Sequence, residues 1–286
     1  MTSFAPKIRV EVYVPIRQDS AYEVTLSWII EEFTQLRGGC TVNENVGGFY
    51  LSRGNEVVDD RVSMSWRLGK YDDTKTAITE LGQYLNELSD DNQYKKIWKA
   101  WSHLYMAQMF LSQRNLNDAR SQSSLALEAA AADDQETRIE INAVQCLIEV
   151  AAGAASKGRP LCEAAAKVKL EPTSLSHKGH VQLALAEARL EAGDTKGCAD
   201  VILQAQQISA RLHEGEREWR AWLLAARANQ RLGNLDAMRQ QLSSAQSLLN
   251  ALREKWGDEA FSGYMSRPDI QAAQQQLQSM LTTLGR

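Results

Sequence analysis

Hydrophobic and polar positions follow two rhythms along the chain, and the change falls near residue 70. Before it, apolar residues alternate in short runs. Ile8, Val10, Val12 and Val14 share one face of an extended segment, and Arg9, Glu11 and Tyr13 share the other, which is the period of a half-buried strand. Residues 22–37 carry Val24, Trp28, Ile29, Phe33 and Leu36 at helical spacing, stopped by Gly38 and Gly39. Three short strand candidates follow at 40–43, 48–52 and 61–68, with Arg53, Gly54 and Asn55 reading as a hairpin tip. The order β-α-β-β-β predicts a small α+β sandwich domain over residues 1–70, its helix burying Trp28, Ile29 and Phe33 on an antiparallel sheet.

From residue 71 to 286 the period becomes helical, in elements of roughly four to six turns rich in Ala, Leu, Gln, Glu and Arg. Short breaks divide them, and three breaks are alike. Arg114, Asn115, Leu116, Asn117, Asp118 and Ala119 align with Gly233, Asn234, Leu235, Asp236, Ala237 and Met238. Gly193, Asp194, Thr195, Lys196, Gly197 and Cys198 fit between them, and a weaker break runs from Lys157 to Cys162. Gly or Asn ends one helix, and the small residue lets the next helix pack closely. Trp98, Trp101, Tyr105, Phe110, Trp219 and Trp222 lie upstream of such turns. Leu125 and Ala129, Ile202 and Ala205, and Leu242 and Ala245 lie downstream.

This pattern resembles the intra-repeat turn of tetratricopeptide repeats, over residues 91–286. The resemblance implies a mainly α chain, an α-solenoid of TPR-like helix pairs that follows the α+β domain. Its period is about 40 rather than the family's usual ~34, which implies longer helices, similar to the arrays of large bacterial regulators and signalling ATPases. The segment Ser266, Arg267, Pro268, Asp269 looks like the turn that starts a capping helix in such arrays. At least three stacked pairs are expected, with Trp101, Leu125, Ile202, Trp222 and Leu242 buried between layers.

Composition narrows the function. The chain is 44 % hydrophobic and 24 % charged, as folded proteins are, and its net charge of −4 argues against binding nucleic acid through bulk charge. Cys40, Cys146, Cys162 and Cys198 have no paired spacing, which suits thiols in a reducing compartment. With no signal-like leader and no apolar run of membrane length, a cytoplasmic protein is expected.

Candidate chemistry is sparse. There is no G-x-x-x-x-G-K-[ST] loop, and His177 and His180 pair at i, i+3 without further metal-type ligands nearby, so structural histidines are the plainer reading. Neither a catalytic residue nor a cofactor is expected. Arg217, Arg220, Arg227 and Arg231 share one side of a helix. First helices of such repeats line a concave groove, where these arginines would grip the carboxylates of a partner peptide if they stay free of intrachain acids. The expected function is a non-catalytic interaction scaffold or adaptor, with a possible homodimer through the N-terminal sheet. The alternative is a regulatory sensor whose α+β head binds a small metabolite or nucleotide and signals through the repeats.

Overall fold

In the computed structural model the described residues are 62, 65–87, 93–168 and 175–284. The strands and helix expected before residue 61, and with them the α+β domain and its sheet edge, lie outside these residues. Within them the chain is almost wholly helical: α1 (Tyr71–Glu87), α2 (Gln93–Ser112), α3 (Leu116–Ala129), α4 (Gln135–Ala151), α5 (Ala155–Lys167), α6 (Leu175–Glu191), α7 (Thr195–Arg211), α8 (Gly215–Leu232), α9 (Leu235–Met265) and α10 (Pro268–Leu284). Val62 and Ser65–Arg67 are helical too, so the strand expected at 61–68 is not formed there. Val62 and Ser65 are buried three residues apart, a spacing that puts them on one face of a helix, whereas in a strand they would lie on opposite faces.

The helices pack as successive pairs, α2 with α3, α4 with α5, α6 with α7 and α8 with α9. Each pair turns on one left-handed residue: Arg114, Gly153, Gly193 and Gly233, in steps of 39, 40 and 40. Residues that follow the turn cap the next helix. Asn115 accepts from the Asp118 amide, and Asp194 from the Gly197 amide. The second turn sits at 152–154 rather than at 157–162, which lies within α5. Gly158 there serves packing instead of a turn, since a Cβ on it would stand 2.6 Å from the carbonyl oxygen of Cys146 on α4.

First helices of neighbouring pairs touch one another, whereas second helices make no comparable contacts among themselves. The stack therefore curves with α2, α4, α6 and α8 inside. α10 extends this inner row beyond α8 and also touches α2, so the succession closes on itself. Large side chains hold the layers: Trp219, Leu242, Leu190 and Ile202 are buried. The expected burial of Leu125 is not met, for it is 37 % exposed, and Trp101 and Trp222 are only half-buried. In α3 the buried positions are Ala119, Ser123 and Ala126, so Leu125 falls off that face. No helix among the described residues is long and apolar enough to cross a membrane.

Cys146 on α4 and Cys162 on α5 form a disulfide, with Cα atoms 5.7 Å apart, and neither is a separate buried thiol as the spacing suggested. Cys198 is free and buried, and burial pushes its thiol up to about 12. The disulfide removes the basis for a reducing compartment at these two positions, because such bonds persist mainly where the surroundings are oxidising. Unreduced, denatured protein is expected to alkylate at no more than two of its four cysteines. Opening the bond, which joins residues 16 apart, should cost about 3 kcal/mol and lower the melting temperature. Four reactive thiols, or an unchanged melting temperature on reduction, would refute this.

Candidate functional site

Repetition sets the inner helices side by side, and polar rungs join them. Between α4 and α6, His180 Nδ1 donates to Glu140 Oε2 at 2.5 Å. Glu140 is 3 % exposed. Burial alone would raise its carboxyl, but the pull of His180, with His177 and Arg217 adding to it, brings it down to about 2. Its second oxygen, Oε1, and His177 Nδ1 are buried without a partner. Trp101 on α2 lies against the His177 ring, with centroids 6.0 Å apart. The histidine pair thus belongs to a charged core that reaches across three first helices. Among the described residues no group of three or more His, Cys, Asp or Glu is arranged to hold a metal ion.

Between α6 and α8 the rungs are made by the arginine row. Arg217 Nη1 donates to the Ser176 carbonyl at 3.1 Å and to both Glu214 oxygens at 2.9 and 2.8 Å. Ser176 Oγ donates to Glu214 Oε1 at 2.5 Å. Arg227 pairs with Glu191 at the end of α6, and Arg231 donates to the Leu190 carbonyl and lies 3.5 Å from Glu191. Arg220 turns the other way, 3.6 Å from Asp269 on α10.

All four arginines lie on α8, one of the first helices. The condition that they stay free of intrachain carboxylates is not met. The physical reason is the close approach of first helices inside the curve, which puts each guanidinium within reach of the preceding or following inner helix. Partial burial there makes an unpaired charge expensive. Glu191 and Asp269 take three of the four arginines, and nothing in the spacing along α8 itself points to them.

The same logic ends the row. Arg267 is 1 % exposed. Its Nε and Nη2 donate to Asp269 at 3.0 and 2.7 Å, and its Nη1 donates to Glu216 Oε1 at 3.1 Å and to the Arg67 carbonyl at 3.2 Å. The guanidinium also lies over the Trp66 and Tyr264 rings, 4.9 and 5.5 Å from their centroids. Burial works against its charge, and Glu216 and Asp269 more than restore it. Ser266, expected to cap α10, instead closes α9 by donating to the Gly263 carbonyl at 2.6 Å.

No family model and no curated protein matches this sequence.

Proposed function

We propose that the chain is a non-catalytic interaction scaffold of the tetratricopeptide-like kind, which binds a partner protein or peptide along the inner face of its helix stack. The observation that carries this reading is the repeated pair itself: steps of 39 and 40 residues present equivalent inner helices in register. Surfaces built this way are extended and suit chain-like ligands. Arg217, Arg220, Arg227 and Arg231 are the partner-binding residues in this proposal, now with a condition attached. An acidic partner reaches them only by exchange with Glu191, Glu214 or Asp269, so binding competes with the inter-repeat ion pairs.

That competition gives a test. Glu191→Gln releases Arg227 and Arg231 and should raise partner recovery in affinity isolation from native extract. Arg220→Glu with Arg227→Glu should abolish recovery. Because both arginines have intrachain partners, the double variant should also melt measurably lower than wild type. Equal recovery by all three proteins would end the proposal as stated.

The sensor reading draws on a different observation. Residues 65–70, which directly follow the N-terminal region, dock on the turn between α9 and α10, so a ligand-driven change upstream would reach the closure of the stack.

A further inference from the structure

Val62 and residues 65–70 bridge the two ends of the stack. Val62 packs in one cluster with Ala77, Leu81 and Leu85 of α1 and Trp98 of α2, and Ser65 Oγ lies 2.8 Å from Thr74 Oγ1. A few residues on, Leu68 packs into the cluster formed by α8, α9 and α10. At the crossing two glycines allow the backbones to meet. A Cβ on Gly69, which has φ +72°, would stand 2.7 Å from the Gly263 carbonyl oxygen, and a Cβ on Gly263 would stand 2.5 Å from that of Leu68.

We infer that this segment is a strap that latches the stack shut end to end, and that its release opens the inner row between α2 and α10. The inference is independent of what the inner face binds. The seat is built for release without penalty to the charge it covers. Arg267 has Glu216 and Asp269 beside it, both on the array side, so its charge stays paired when the strap leaves. Against that seat the strap sets the Arg67 carbonyl, the Trp66 ring and the Leu68 side chain. It is also held at a cost, because the Trp66 indole N–H is buried without an acceptor. Residues 1–61 precede the strap in the sequence.

Gly263→Ala tests this cleanly in the full chain. Alanine favours the helix that contains residue 263, and the three atoms nearest its methyl group all belong to Leu68. Hydrogen exchange and small-angle X-ray scattering are then compared with wild type. The strap amides should exchange at least about tenfold faster while α4 to α7 keep their protection, and the radius of gyration should increase. Unchanged strap exchange overturns the inference. So does faster exchange with an unchanged radius, which would make the segment a flap rather than a latch. If Gly263→Ala does not fold, Leu68→Ala alters the strap alone, and the same exchange and scattering outcomes support or overturn the latch.

Discussion

Trp219→Ala is expected to destabilise the protein by about 3–5 kcal/mol, a loss read as a shift in the denaturant midpoint of the C-terminal half. Trp219 is fully buried on α8 among Leu242 and Leu249 of α9 and Leu277 of α10, so its removal empties the joint of three helices. It also donates Nε1–H to the Tyr264 hydroxyl at 2.7 Å. Burial, and then the nearby Glu216, hold that hydroxyl well above its ordinary titration, so it stays a neutral partner. Tyr264→Phe separates the two contributions. It keeps the ring and strands the indole N–H, which should cost about 1–3 kcal/mol. Stability in stacked repeats is roughly a sum of neighbouring interfaces, so protection in α4 and α5, remote from that joint, should change little. A variant that melts like wild type would place Trp219 outside the core and contradict the packing described.

His180→Ala should cost a similar amount, about 3–5 kcal/mol, for an electrostatic reason. It leaves the buried Glu140 carboxylate without its hydrogen-bonded partner, and Arg217 compensates only at a distance. Replacing both residues by leucine should recover much of the loss, since no charge is then left unpaired. The pair also fixes a pH dependence. The Glu140 carboxyl falls from an ordinary 4.5 to about 2 in the folded state. Its contribution, on the order of 3 kcal/mol, is therefore complete above the unfolded value and is lost as pH falls from 4.5 towards 2. Glu140→Gln should flatten the stability profile in that window. An identical acid limb in wild type and Glu140→Gln would show that another group governs it.

Much of the helical architecture was legible because repetition writes itself into turn residues. The left-handed conformations at 114, 193 and 233 match turns read from Gly and Asn spacing alone, and Pro268 does begin the last helix. The second turn was misplaced because Gly158 and Pro160 look like breakers, while the residue that turns the chain is Gly153. The site was legible only in part. A row of arginines on one helix can be read from periodicity, but their partners sit 36 to 49 residues away or one turn back along the chain. That pairing depends on how tightly the inner helices curve, a quantity no single helix encodes. The Cys146–Cys162 bond was hidden for the same reason: its separation of 16 residues becomes short only once α4 and α5 fold back on each other.

The proposal that a partner lies along the inner face is tested most directly by site-specific photo-cross-linking in native extract. A photoactivatable residue at Arg231, at the end of an inner helix, is compared with one at Leu203, which is 55 % exposed on the second helix α7. Trapping of the same protein or peptide from position 231 and not from 203 is the expected result. Trapping from 203 alone, or from neither position, would contradict the inner-face reading.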